Sequence, residues 1–354
     1  YASVEKEEKE KKEDITNKYM SKGLTGLVNL GNTCFINSTL RCLSHTYELN
    51  NFLSKEEYKY YLNRCPDTLV LWEWDNLRKL IWSENCTIKP AGFLTAIQRI
   101  ARAKQQVLFT GFSQNDLTEF LHFIIDCFHN SIKREVNMTI SGKIKNKQDL
   151  IAKTSYEMME KMYEKEYSEI IKLFYGINIS TIKSLESEYE NITSEPFFNL
   201  TLEITRSNNL LDCIENYTEI ETLNDKIEVN ENTKKRENCT KAIKFWNLPD
   251  ILVITLKRFE NERKKIQKMI DFPLTDLDLR KYVLGYDKEN SVYDLYGICN
   301  HMGGTRGGHY TAYVKNANNK WYLYNDTVVN EIQHLNKLKS PYAYCLFYRK
   351  KKIT

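Results

Sequence analysis

Gly26-Leu27-Val28-Asn29-Leu30-Gly31-Asn32-Thr33-Cys34-Phe35-Ile36-Asn37-Ser38-Thr39-Leu40 is the stretch on which the reading of this chain turns. Glycine and asparagine punctuate an apolar approach, and beyond it Ile36, Leu40, Leu43 and Tyr47 recur at helical spacing. Cys34 therefore stands where a Gly-Asn turn enters a helix. Backbone N–H groups and the helix dipole at such a position favour a thiolate and predict a lowered thiol pKa. Asn29, on the approach, is placed to offer a side-chain N–H to a developing oxyanion. The same residues also read as a buried cysteine beside two turn-forming asparagines, Asn29 and Asn32.

Outward from this stretch the texture is helical first and strand-like later. Leu117, Phe120, Leu121, Ile124, Ile125 and Phe128 predict a helix from about Asp116 to His129. A third helix is predicted over roughly Asp149 to Phe174, with Met158 and Met162 on its packed side. From about Phe197 short β-like runs follow: Phe198–Ile204, Ile251–Leu256, Val292–Ile298, His309–Val314, Trp321–Tyr324 and Ala343–Tyr348. The polar segment from Ser207 to Lys244 carries no clear pattern. Helices before strands, without alternation, give an α+β chain. Asn316 to Asn319 reads as a hairpin turn that brings His309 nearly opposite Asn325. An amide there would hold the imidazole as the third group of a triad holds its base.

Composition bounds the setting. The 354 residues are 42% hydrophobic and rich in aromatics, enough for a sizeable core. The net charge of +4 does not call for a nucleic-acid partner, and the lysine runs at Lys234–Arg236 and Lys350–Lys352 are local. Nine scattered cysteines without a CxxC pair point to a reducing cytoplasm or nucleus, and no apolar run is long enough for a membrane span. Residues 1–22, dense in Lys and Glu, read as a solvated extension. Tyr1 in place of an initiator methionine is read as marking a fragment or a processed chain.

Four motifs, taken in order, resemble the ubiquitin-specific protease family. Residues 26–40 resemble its cysteine box. Asn300-His301-Met302-Gly303-Gly304, then Gly307-Gly308-His309-Tyr310-Thr311-Ala312-Tyr313 with Trp321 and Asn325-Asp326, resemble its histidine box. Between them, Gly111-Phe112-Ser113-Gln114-Asn115-Asp116-Leu117-Thr118-Glu119-Phe120-Leu121 and Leu248-Pro249-Asp250-Ile251-Leu252-Val253-Ile254-Thr255-Leu256-Lys257-Arg258-Phe259 resemble two further signatures. The resemblance spans about residues 23–349.

It implies a papain-like hand of thumb (about 23–170), fingers (about 174–245) and palm (about 246–350) that threads the Leu-Arg-Gly-Gly tail of ubiquitin past the nucleophile. By position it implies Cys34 as nucleophile, His309 as base, Asn325 as third triad member, Asn29 as oxyanion donor and Asp326 as the acid beside the triad. Asp116 and Glu119 match acids that hold the tail, with Gln114 beside them. Asp116-x-x-Glu119 reads equally as a capping box for the helix that follows. His301, Gly307, Gly308, Tyr310 and Phe259 match the walls of the tail channel.

Where many relatives carry two CxxC zinc pairs, this chain has Ser184 and Ser187, then Asn230 and Thr233. No metal or other cofactor is expected, and the fingers are expected to hold by apolar packing or to be shortened. Arg41, Phe35 and Thr255 replace commoner family residues at positions read as tolerant. The resemblance implies a monomeric thiol-dependent deubiquitinase whose partners are ubiquitin and ubiquitinated proteins. A catalytically silent ubiquitin-binding module and a protease for a ubiquitin-like modifier are the alternatives.

Overall fold

Apolar periodicity around Cys34 becomes helix α1 (Cys34–Ser44), and all eleven of its residues are buried. A computed structural model describes residues 17–230, 232–261, 264–304 and 307–351. The chain divides into two compact units, one of residues 1–132 with 296–345 and one of residues 133–295 with 346–354. Helices dominate the N-terminal part and antiparallel strands the C-terminal part, an α+β arrangement.

In the first unit α1 is followed by α2 (Tyr47–Ser54), α3 (Thr68–Ser83), α4 (Ala91–Ala103) and α5 (Leu117–Ile132). The α5 stripe of Phe120, Leu121, Ile124, Ile125 and Phe128 is wholly buried, and Phe35 of α1 meets Phe120 edge-on, ring centroids 5.3 Å apart. Helices α2 to α4 were not legible as such, because their apolar positions are mixed with polar ones that fold inward. Asp75 and Arg78 of α3 form a buried ion pair at 2.5 Å.

Two short strands, β1 (Gly26–Leu27) and β2 (Thr87–Ile88), pair in parallel and fix the approach to Cys34. The late strands are β3 (Val292–Gly304), β4 (Gly307–Lys315), β5 (Trp321–Asn325) and β6 (Val328–Glu331). They form an antiparallel meander in which β4 pairs with β3 and β5, and β5 with β6. α1 packs on β4, so the cysteine helix lies against the histidine strand.

Arg41, at a position read as tolerant, lies in the core. Its side chain is 1% exposed, stacks 5.0 Å over the Tyr324 ring, and none of its guanidinium nitrogens has a hydrogen-bond partner among the described residues. Burial lowers its pKa to about 10.

Of the extension read over residues 1–22, residues 1–16 lie outside the described residues. Asn17–Tyr19 form a 3₁₀ turn whose Tyr19 is buried, stacked on Tyr47 at 4.8 Å and edge-on to Trp82 at 4.6 Å.

In the second unit, the single helix predicted over 149–174 is two, Lys147–Glu166 and Glu169–Phe174. Ser168 adopts an extended backbone, and its hydroxyl accepts the Ile171 N–H, which starts a new helix. Met158 and Met159 pack on a cluster of Ile151, Ala152, Ile177, Ile179 and Trp246. Gly176–Ser184, Glu190–Phe197 and Cys239–Asn247 form an antiparallel sheet. The patternless polar segment contains helix Leu210–Thr218 and part of this sheet.

At its tip, Ser184 and Ser187 both donate to the Glu237 carboxylate, at 2.5 and 2.6 Å, and Lys235 pairs with it at 2.5 Å. Glu237 is 1% exposed, and these partners, Lys235 foremost, hold its pKa at about 2. Asn230 caps a turn by accepting from the Asn232 and Thr233 N–H groups. A carboxylate-centred polar cluster therefore organises Ser184 and Ser187, while Asn230 and Thr233 share a turn of their own. Apolar packing or shortening was expected here, and neither expectation included such a charged cluster.

Candidate active site

Cys34 begins α1 with its side chain 3% exposed, and the Tyr310 backbone N–H reaches its sulfur. The thiol pKa is raised, not lowered as its place at a helix start predicts. Burial is the largest cause, and the Asp326 carboxylate adds to it. The N–H groups of Tyr310, Phe35 and Cys34 itself pull the other way and lose. A desolvated thiol stays protonated until a base removes its proton.

The candidate base, His309, is the residue before Tyr310. His309 Nε2 lies 2.6 Å from Asn325 Oδ1. An amide oxygen only accepts, so Nε2 carries a proton, which in the neutral ring leaves the lone pair on Nδ1. The register differs from the expected direct opposition. Ala312 pairs with Tyr324, and the pairs step outward from Lys315 with Trp321, which places Asn325 across from Thr311. His309 and Asn325 are a diagonal pair, within reach because a diagonal on one sheet face spans only about 7–8 Å between backbones.

After Asn325 the chain turns tightly, since Asn325 pairs with Val328 and Asp326 holds φ at 51°. The Asp326 carbonyl accepts the Leu27 N–H at 2.8 Å, which ties this turn to the approach strand of Cys34.

The Asp326 side chain works through two amides. One oxygen accepts from Asn29 Nδ2 at 3.0 Å and the other from Asn37 Nδ2 at 2.7 Å. Asn29 Oδ1 accepts from the N–H groups of Gly31 and Thr33 and from the Thr33 hydroxyl. Its amide is thus fixed from both ends, through Oδ1 and one Nδ2 hydrogen. Asn37, one turn beyond Cys34, had no assigned role. A polar residue amid the apolar run was its only signal.

Asp116 caps α5. Its Oδ1 accepts from the Thr118 N–H and hydroxyl and from the Glu119 N–H, while Oδ2 accepts from Tyr344 at 2.6 Å. Both oxygens are occupied, and no sequence pattern pointed to Tyr344. Glu119 is exposed, and its carboxyl pKa is raised, first by partial desolvation and then by Asp116. It borders a groove of about 300 Å³ that also contains His122, Asp126 and Lys104. Gln114 joins its carboxamide to the Gly308 backbone, donating to the carbonyl at 2.9 Å and accepting the N–H at 2.8 Å.

His301 is buried with its ring 4.5 Å from that of Tyr310. A Cβ on Gly308 would collide with its Nε2, so only glycine fits beside that ring. Gly307 precedes it at the start of β4. The first unit thus holds every site residue expected from the sequence except Phe259. That residue belongs to the second unit, with Lys265 Nζ 5.8 Å from its ring centroid.

Among the described residues no group of three or more His, Cys, Asp and Glu side chains is arranged to hold a metal. No helix among them is long and apolar enough to cross a membrane.

A buried thiol at a helix start and an imidazole oriented by an amide on the strand packed against that helix, on an α+β frame, are residue types a cysteine hydrolase uses. Residues 25–348 match the family model described as ubiquitin carboxyl-terminal hydrolase, and the chain belongs to that family. It is 35% identical over 352 residues to ubiquitin carboxyl-terminal hydrolase 2 of Bos taurus, covering 95% of this chain and 56% of that protein. It is 31% identical to ubiquitin carboxyl-terminal hydrolase 21 of Bos taurus, covering 93% and 62%. The chain spans little more than half the length of these relatives. Among solved structures, the SAGA Ubp8/Sgf11/Sus1/Sgf73 DUB module bound to ubiquitin aldehyde matches with a TM-score of 0.72 at 26% identity, covering 94% of this chain and 70% of that one.

Proposed function

We propose that this chain is a thiol-dependent deubiquitinase that hydrolyses the isopeptide or peptide bond after the C-terminal Gly-Gly of ubiquitin. The observation that carries the reading is the His309–Asn325 bond at 2.6 Å on the strand whose next residue, Tyr310, offers its N–H to the Cys34 sulfur. Family membership, and a solved neighbour bound to ubiquitin aldehyde, support ubiquitin as the partner.

His309 Nδ1 takes the thiol proton as sulfur attacks the terminal glycine carbonyl. The carbonyl oxygen gains charge and accepts from the second N–H of Asn29, whose first is held by Asp326. The tetrahedral species collapses, the C–N bond breaks, and the imidazolium protonates the departing amine. Water, deprotonated by His309, then cleaves the thioester and returns the thiol. Burial raises the Cys34 thiol pKa, so a base has to take its proton for attack. Glu119 and Asp126, which line one groove, are the carboxylates offered to the basic part of the tail.

The reading extends to a monomer of the cytoplasm or nucleus without nucleic-acid or membrane partners. A net charge of +4 and nine free cysteines are its support.

Incubation of wild type and Cys34→Ala with di-ubiquitins of each linkage tests the proposal. Cleavage by the wild type alone is the expected result. A wild type that binds ubiquitin but neither cleaves it nor is labelled by ubiquitin carrying a C-terminal electrophile would make the chain a silent binding module.

A further inference from the structure

Four glycines, Gly303, Gly304, Gly307 and Gly308, make up the described end of the hairpin that carries His309, and Gly303 holds φ at +116°. Glycine loses more conformational freedom on ordering than any other residue, so this end is poorly determined by its own sequence. The sheet constrains one edge only. β3 pairs with β4 as far as Gly304 and Gly307, but β5 pairs with β4 only from Ala312 inward, which leaves the outer edge at Gly308 without a strand neighbour among the described residues. A restraint on that edge has to come from elsewhere. It comes from Gln114, whose carboxamide offers Oε1 to the Gly308 N–H and Nε2 to the Gly308 carbonyl at 2.8 and 2.9 Å.

A carboxamide pairing this way stands in for the peptide unit of a missing neighbouring strand. Gln114 lies two residues before the Asp116 cap, so its backbone is anchored by α5. We infer that Gln114 is a positioning residue for the general base: its two bonds fix the Gly308 peptide and hence the place of His309 relative to Cys34. The inference rests on His309 being the base. Misplacing a catalytic group by about 1 Å lowers turnover by about 100-fold.

The test compares wild type, Gln114→Ala and Gln114→Glu on a fluorogenic amide of the ubiquitin C-terminus, with kcat and KM separated between about pH 5.5 and 8.5. Gln114→Ala is expected to lower kcat by roughly 10- to 100-fold with KM within about twofold of wild type. Gln114→Glu replaces the donor by a second acceptor when ionised. Once protonated it regains one donor and one acceptor, like the carboxamide. Its kcat, expressed as a ratio to wild type so that the triad's own titration cancels, is expected to rise as pH falls. A merely structural role would not give that slope. Unchanged kcat in the alanine variant, a loss confined to KM, or a flat ratio for the glutamate variant would overturn the inference. If thermal melting shows the alanine variant unfolded, the glutamate ratio alone decides. A wild type without turnover would instead defeat the deubiquitinase reading.

Discussion

Asp326 touches no reacting atom in the described geometry, yet two amides converge on it, from Asn29 and Asn37. If it acts by aiming the Asn29 amide, Asp326→Ala and Asn29→Ala disable the same hydrogen bond. Each is expected to lower kcat by ~10²–10³-fold, the range for loss of one oxyanion donor. The double variant is expected to be no worse than the larger single loss, because both act through one amide. Losses that multiply would show that Asp326 works by another route.

Cys34 sets a second expectation at this scale. Its pKa is raised by burial and by Asp326, so in the free protein its thiolate fraction lies below that of an ordinary cysteine at neutral pH. Alkylation of Cys34 by iodoacetamide, followed by peptide mass spectrometry, is therefore expected to keep accelerating past about pH 8.5, the unperturbed midpoint. A midpoint below about 7 would show that the helix start prevails after all. The helix dipole was legible in the sequence and burial was not, because burial depends on β4, which lies far along the chain at Gly307–Lys315.

Among the elements, α1 carries an unusual load. A buried guanidinium without hydrogen bonds costs more than an apolar side chain of similar size. Arg41→Met is expected to stabilise the protein by roughly 1–3 kcal/mol, read from urea unfolding, while keeping the volume that supports Tyr324. A destabilised variant would mean that the cation–π contact outweighs desolvation.

The tip of the second unit behaves oppositely, because its charge is fully partnered. Glu237 is held at about 2, below the unfolded value near about 4.3, so it contributes stability above about pH 4.3 and loses it as pH falls toward about 2. The thermal midpoints of wild type and Glu237→Gln are expected to differ at about pH 7 and to converge toward about pH 2, where the wild-type carboxylate is also neutralised. A gap independent of pH would exclude the carboxylate as its source. Helix α5 and the β4–β5 hairpin were read correctly because local periodicity and turn residues specify them. The break at Ser168 was missed because an isolated serine in a charged helix looks the same whether it caps or not.

At the scale of the molecule, each unit is assembled from distant pieces of chain. The first joins residues 1–132 to 296–345, so every contact between the cysteine box and the histidine box closes a loop through residues 133–295. A separation of that kind leaves no local trace. Pairing between the two boxes was inferred from their chemistry and their resemblance to a family, and the coordinates bring them together by packing α1 on β4.

The α+β class, helix α5 and the β4–β5 hairpin were determined by the sequence alone, because turn chemistry and hydrophobic period act over a few residues. Only the tertiary structure decided that the Cys34 thiol is kept neutral, that Asn325 reaches His309 on a diagonal, that Asp326 holds Asn29, and that Gln114 braces Gly308. Each of these depends on desolvation or on hydrogen bonds between separate segments of the chain, and such terms exist only once the backbone has brought the segments together.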